Sequence, residues 1–442
     1  MFDLVIHGRV LETGTLRDAY VCIEGGIISE LRRSRPGNGE LGEIRSFGKK
    51  LLLPGVIDSH VHMRDPGSTH KENLYTGSVS AAFGGVTTFI DMPNTIPPTI
   101  DRTTFIDKYT RASSESVIDF GLNLGIMSSS GTEHIGEILG SGTRGGRPTA
   151  LKAFMGESTG SLIYGPYEDL GRWVDMMALY DVPLCVHAED GGLFRSKGSG
   201  GKSILMAHDE MRPPNAETSA IKKVLRNFHV RRQGLHFLHV SSEEGLRSAE
   251  GQGCTIEVTP HHLLLDIQNA EKHMEVPALA KVNPPLRKRS DRKSLWHALG
   301  RSTIYTIGSD HAPHTLKEKT DADHPPSGIP GTETMLPLML QKVVEKKIEL
   351  HRITELLSGN PAKRFGLQDR GSLLPGMKAD MIVVDPDRSR TIRAEDLHSK
   401  CGWTVYEGMK GIFPERVYSR GELIVEDENL CVKRGRGVPI KP

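Results

Sequence analysis

Two histidines stand two residues apart in the stretch Pro54-Gly55-Val56-Ile57-Asp58-Ser59-His60-Val61-His62-Met63-Arg64-Asp65-Pro66-Gly67. The first half of that stretch is apolar and β-branched and is bounded by proline and glycine, which reads as a short buried strand. Side chains alternate along a strand, so His60 and His62 point the same way where the chain leaves the sheet. Two imidazoles on one face can grip one metal ion. Taken alone, they read more readily as two unrelated histidines near a turn. Four further apolar runs carry a reactive group: Lys152 in Ala150-Leu151-Lys152-Ala153-Phe154-Met155, His187 in Cys185-Val186-His187-Ala188-Glu189-Asp190, His239 in Phe237-Leu238-His239-Val240-Ser241-Ser242, and Asp310 in Gly308-Ser309-Asp310-His311-Ala312-Pro313-His314. Singly, His187 or His239 reads as a hydrogen-bonded core histidine. Together these groups describe a metal centre.

Lys152 is the most informative of them. An ammonium inside a strand is costly to bury without a partner. A neutral lysine can instead take up carbon dioxide as a carbamate, whose two oxygens suit a pair of cations. The competing expectation is an ion pair with Glu157 or Glu189.

The elements that must position these groups follow a regular rhythm. Strand-like runs cover 55–63, 86–92, 117–124, 150–155, 183–188, 235–240, 255–259 and 304–309. Helical spacing falls between them, at 73–83, 167–180, 216–232, 290–299 and 332–344. Eight strands alternating with helices predict an α/β chain built on a (β/α)8 TIM barrel, whose active site would lie at the carboxyl ends of the strands. An open doubly wound sheet is disfavoured, because no Gly-x-Gly-x-x-Gly follows a strand. Residues 1–54 read as short antiparallel strands around a polar loop at 34–42, and β character returns at 371–385, 416–418 and 422–426. The expected organisation is therefore residues 1–54 and 366–442 forming a small β-sandwich module from both termini, with the barrel at 55–365.

Composition bounds the rest. The 442 residues are 37% hydrophobic and 25% charged with a net charge of +1, so neither a nucleic-acid footprint nor a membrane-seeking surface is expected. The run Arg287-Lys288-Arg289 reads as a solvated helix start. No apolar run is long enough to span a bilayer, and the first residues lack a signal-peptide pattern. Five scattered cysteines, Cys22, Cys185, Cys254, Cys401 and Cys431, form no disulfide framework and fit a reducing cytoplasm.

Nearly end to end, the chain resembles the dihydroorotases of the amidohydrolase superfamily. The resemblance is carried by His60-Val61-His62-Met63-Arg64-Asp65-Pro66-Gly67, Met92-Pro93-Asn94-Thr95, Val186-His187-Ala188-Glu189-Asp190, His239-Val240-Ser241, Thr259-Pro260-His261-His262-Leu263, Asn283-Pro284-Pro285-Leu286-Arg287 and Asp310-His311-Ala312-Pro313-His314. It implies two Zn²⁺ ions: one held by His60, His62 and Asp310, the other by His187 and His239, with carboxylated Lys152 and a hydroxide between them. It further implies reversible hydrolysis of the cyclic amide of dihydroorotate to N-carbamoyl-L-aspartate, the third step of de novo pyrimidine biosynthesis. Arg64, Asn94 and His314 would read the substrate carboxylate, and Asn283 and the backbone near Gly328 would hold the ring. A metal pair lowers the pKa of a shared water to about 7, and Asp310 can carry its proton to the departing nitrogen as general acid and base. Asn94 otherwise reads as a turn residue and Arg64 as the partner of Asp65. His261, His262 and His311 are expected to pack or support, and Cys185 to face the core. Allantoinase and hydantoinase or dihydropyrimidinase are the rival cyclic amidohydrolases. From a different class, the rival is a silent scaffold binding a carbamoyltransferase. Expected partners are the small-molecule substrate and, beyond it, a second copy in a homodimer or a carbamoyltransferase.

Overall fold

The computed structural model describes residues 1–441 apart from 13, 141–145, 158–161, 166, 197, 199–200 and 322–323. Eight parallel strands make a barrel. The first, Val56–Val61, is buried at all six positions. Strands covered on both faces carry continuous apolar runs instead of alternating ones. It pairs with Val86–Asp91, which pairs with Asp119–Leu122. The third strand breaks at Asn123 and resumes as Leu124–Gly125 beside Leu151–Phe154. Leu184–His187, Leu235–Phe237, Thr255–Val258 and Thr306–Ile307 follow in order. The ring closes where Val61 bridges His311 in parallel and the His62 amide donates to the His311 carbonyl at 2.7 Å.

The sixth and eighth strands stop short of the expected 240 and 309. Just beyond them His239 and Asp310 take positive φ values of 38° and 47°, which no ladder tolerates. The helices fall close to expectation. Leu74–Phe83 starts at an Asn73 capping box with Thr76, and Thr332–Val344 and Arg289–Gly300 lie where spacing put them. The stretch expected at 216–232 is Pro214–Asn227. The one expected at 167–180 is a 3₁₀ segment, Tyr167–Trp173, running into Val174–Leu179.

Both chain ends meet in one eight-stranded sheet. Phe2–Glu12, Thr15–Glu24, Ile27–Arg32 and Leu41–Pro54 join Met381–Val384, Arg416–Ser419, Glu422–Glu426 and Asn429–Leu430. Leu4, Ile6, Val21, Leu52, Met381 and Tyr418 share one apolar cluster, so the sheet folds over as a small sandwich. The N-terminal strands are not all antiparallel as expected, because Phe2–Glu12 and Leu41–Pro54 run parallel. Residues 33–40 carry the chain back before Leu41–Pro54 begins, inside the stretch 34–42 read from the sequence as a polar loop.

Part of the C-terminal stretch reaches the other end of the barrel. Trp403 and Tyr406 pack with Leu205, Leu265 and Leu286. Ser399 Oγ donates to Glu72 at 2.6 Å and Trp403 Nε1 to the His314 carbonyl at 2.7 Å. Among the described residues no helix is long and apolar enough to cross a membrane, and all five cysteines are free.

At the amino ends of the strands, buried Asp119 ties the tail to the barrel. It accepts from Arg370 Nη1 and Nη2 at 3.3 and 3.2 Å, from Arg420 Nη1, and from the Val438 amide at 3.2 Å. Removing one partner of a buried ion network leaves charge uncompensated, at a cost of about 3–5 kcal/mol. Asp119→Ala is therefore expected to lose stability of that order in urea denaturation. A loss below about 1 kcal/mol, the range of exposed pairs, would contradict it.

Candidate active site

Strand one delivers His60 and His62 to the carboxyl end of the barrel, and the turn after strand eight delivers Asp310. His60 Nε2 and His62 Nε2 lie 3.3 and 3.1 Å from Asp310 Oδ1, all three side chains buried. Gly308 allows the approach, because a Cβ there would sit 2.5 Å from Glu257 Oε2 and 2.9 Å from the His60 Cβ. Each imidazole is oriented from behind. Glu257 Oε1 accepts from His60 Nδ1 at 2.7 Å, and Asn94 Oδ1 accepts from His62 Nδ1 at 2.7 Å. With the Nδ1 protons so engaged, both Nε2 lone pairs face the Asp310 carboxylate. Burial pushes the His62 imidazole down to about 4 against the pull of Asp310, so it stays neutral.

On the adjoining strands, His187 Nδ1 and His239 Nε2 approach to 2.9 Å. The other nitrogen of His187 donates to Glu189 Oε2 at 3.0 Å, and Arg212 Nε clamps both Glu189 oxygens at 3.2 and 3.1 Å. Lys152 lies fully buried on strand four, paired in register with Cys185. Neither Glu157 nor Glu189 meets it, because Glu189 is consumed by His187 and Arg212. Its Nζ has no hydrogen-bond partner and rests 4.4 Å from the Phe154 ring centre. Burial pushes that amine down to about 8. Burial also pushes the Cys185 thiol up to about 12, which leaves it a poor nucleophile.

These observations test whether a cation suits the place. The ligand atoms of His60, His62 and Asp310 lie within 4.8 Å of one another. Acceptor lone pairs aimed together in water-excluded space repel, and a divalent cation turns that repulsion into binding. The unpartnered Lys152 Nζ and His239 Nδ1 add that this polar cluster is not satisfied by its own hydrogen bonds. The residues fit a metal.

A narrow cavity of about 20 Å³ opens above them, lined by His60, His62, Arg64, Asn94, Phe154, His187, His239, Asn283, Asp310, Ala312, Ser327 and Gly328. Arg64 is 5% exposed, and its Nε donates to the Pro313 carbonyl at 3.1 Å. The alternative, an Arg64–Asp65 ion pair, is not made; Asp65 faces Arg111 at 3.7 Å. Among the described residues no carboxylate lies within ion-pair distance of Arg64. His314 sits beside it: Lys71 Nζ donates to its Nδ1 at 3.1 Å, and its Nε2 lies 3.1 Å from both Arg64 Nη2 and the Ser327 carbonyl. Burial and the cations Arg64, Lys71 and Lys319 keep that ring neutral. Asn283 Oδ1 accepts from His208 Nε2 at 2.9 Å. Gly328 has a φ of 135°, and a Cβ there would meet the Ala312 carbonyl at 2.4 Å, so glycine is required.

The expected residues thus line one cavity except Lys152, which lies against the Phe154 ring, and His314, which lies against Arg64. The orienting groups Glu257, Glu189 and Arg212 were not anticipated, nor was Phe154 as a wall. Glu257 had a signal, a carboxylate within the apolar run 255–259; Arg212 had none. Arg287 is no solvated helix start, because it is buried and donates to Asp209 and the Arg212 carbonyl. His262 ties Thr259 to the Pro284 carbonyl. His311 accepts from the Gly331 amide at 3.2 Å, which fits the supporting part expected of it.

A sequence model of the amidohydrolase family matches residues 51–410. The chain is 39% identical to a dihydroorotase of Methanosarcina acetivorans, over 97% of this chain and 93% of that protein. It is 36% identical to one of Halobacterium salinarum, over 98% and 99%. Among solved structures it superimposes on an L-hydantoinase (dihydropyrimidinase) from Arthrobacter aurescens with a TM-score of 0.92 at 26% identity, covering all of both chains. It superimposes on a dihydropyrimidinase from Brevibacillus agri with a TM-score of 0.87 at 26% identity, covering 99% and 98%.

Carboxylates behind metal-binding histidines typically contribute 10–100-fold in metal affinity. Glu257→Gln keeps the volume and loses the charge behind His60, so it is expected to weaken metal retention by about that factor in a chelator competition. Retention equal to the wild type would show that Glu257 does not orient His60.

Proposed function

The chain belongs to the amidohydrolase family, and from that premise we propose that it is a dihydroorotase, hydrolysing the cyclic amide of dihydroorotate to N-carbamoyl-L-aspartate and closing it in reverse. The observation that carries this reading is Arg64. A buried guanidinium without a carboxylate among the described residues, in a cavity floored by metal-type donors, asks for an anionic ligand. Dihydroorotate carries a carboxylate, whereas dihydrouracil and allantoin do not. That is why Arg64 outweighs the backbone likeness to hydantoinases.

On this reading His60, His62 and Asp310 would hold one zinc ion and His187 and His239 a second, with Lys152, as its carbamate, serving as a ligand to both. A lysine pushed down to about 8 by burial has the neutral fraction that carbamate formation needs. When bound, such metals polarise the scissile carbonyl and lower the pKa of water. Arg64 and His314 bind the substrate carboxylate, joined by the amide nitrogen of Asn94, whose oxygen is turned to His62. Asn283 and the Gly328 backbone hold the ring. Asp310 accepts the proton of the attacking water. It then delivers that proton to the ring nitrogen as the amide C–N bond breaks. Phe154 and the barrel wall exclude bulk solvent. Residues 55–365 are the hydrolase barrel, 1–54 and 366–442 the β module. The protein works in the cytoplasm, as a homodimer or beside a carbamoyltransferase.

Three measurements test this. The deciding assay compares turnover of dihydroorotate with dihydrouracil, hydantoin and allantoin; a preference for any of the last three overturns the assignment. Lys152→Ala is expected to lose both bound metal and turnover, and normal metal content in that variant would remove the carbamate. Arg64→Met is expected to lower kcat/KM for dihydroorotate about a hundredfold, the equivalent of roughly 2.7 kcal/mol of transition-state binding, with metal content unchanged. Intact kinetics would place carboxylate recognition elsewhere.

A further inference from the structure

Lys319 lies on the short helix Leu316–Thr320 that follows strand eight, and it is fully buried. Among the described residues no carboxylate lies within ion-pair distance of it. Its three N–H groups are all spoken for by backbone: Nζ donates to the carbonyls of Lys281 and Pro326 at 3.0 Å each, and of Gly328 at 3.2 Å. The Trp403 ring, from the C-terminal stretch, lies beneath the ammonium at 5.7 Å. The three acceptors belong to two separate segments. Lys281 leads into Asn283, and Pro326 and Gly328 flank Ser327; Asn283, Ser327 and Gly328 all line the cavity. The Gly328 amide also donates to the Lys281 carbonyl at 2.9 Å and Lys281 Nζ to the Pro325 carbonyl at 2.7 Å, so the two segments are stitched directly as well.

A buried ammonium is an expensive way to make a hydrogen bond. Burial and the nearby Lys281 charge push this one down to about 7. What the ammonium supplies is geometry. It alone radiates three donors from a single atom, where glutamine offers a pair and arginine a planar fork.

We propose that Lys319 is a positioning residue that joins the strand-seven and strand-eight loops into one rigid wall against the substrate ring. Lys319 touches no substrate; it acts through the backbone of Lys281, Pro326 and Gly328. The nature of that substrate rests on the dihydroorotase reading, whereas the wall itself does not.

The test uses metal-loaded full-length protein carrying Lys319→Met, with Lys319→Gln as a second variant. Without substrate, amide hydrogen exchange in peptides covering 281–284 and 326–329 is expected to speed up at least about tenfold, the loss of roughly one net hydrogen bond. Exchange across strand five, 184–187, is expected to stay as in the wild type. With dihydroorotate, KM is expected to rise about tenfold while kcat and metal content stay within about threefold; the glutamine variant should fall between. Unchanged exchange in the two loops overturns the proposal, as does faster exchange with unchanged KM. Should the methionine variant not fold, the glutamine variant decides by the same two criteria. If the wild type does not turn over dihydroorotate, the functional reading fails and the exchange experiment still judges the wall.

Discussion

Asp310 is buried with the Nε2 atoms of His60 and His62 3.3 and 3.1 Å from its Oδ1. That single electrostatic arrangement depends on strand eight closing against strand one. The Val61–His311 bridge and the His62 amide bond to the His311 carbonyl set the spacing of His60 and His62 from Asp310. Gly308 permits the approach, and Glu257 and Asn94 fix the rings that face it. A desolvated carboxylate facing neutral imidazoles is unfavourable by itself, so the closed barrel stores a demand for a cation at its carboxyl end.

The same economy of charge extends outward in layers. Glu189 is neutralised by Arg212 and turned toward His187. Asp91 is paired with Lys108 at 2.7 Å while accepting from the Met63 and Met92 amides, which steadies the chain on either side of the cavity. Arg64 and Lys152 stand outside this pairing, the one without a carboxylate and the other without any hydrogen-bond partner. Each of the two marks a place where ligand chemistry enters.

The C-terminal stretch does more than complete a sheet. Ser399 reaches Glu72 in the loop after strand one, and Trp403 reaches His314 in the loop after strand eight. Backbone loops at a barrel mouth have few apolar contacts of their own, so these bonds lend them the rigidity of the folded tail. That link joins the smaller unit to the site without contributing a group to the chemistry.

The barrel, its eight strands and the gathering of His60, His62, Lys152, His187, His239 and Asp310 were legible in the sequence, because strands impose a period and barrels place strand ends on one rim. Arg64, Asn94 and His314 were legible too, but only through motifs that resemble a known family. What the chain order could not reveal was which partner each buried charge would find. Glu257 behind His60, Arg212 behind Glu189, Asp65 taken by Arg111 and the three carbonyls around Lys319 join residues far apart in sequence. The parallel pairing of Phe2–Glu12 with Leu41–Pro54 was hidden for the same reason. Local propensity and periodicity act over a few residues. Electrostatic pairing and register are settled by proximity in space, and only the closed tertiary structure creates that proximity.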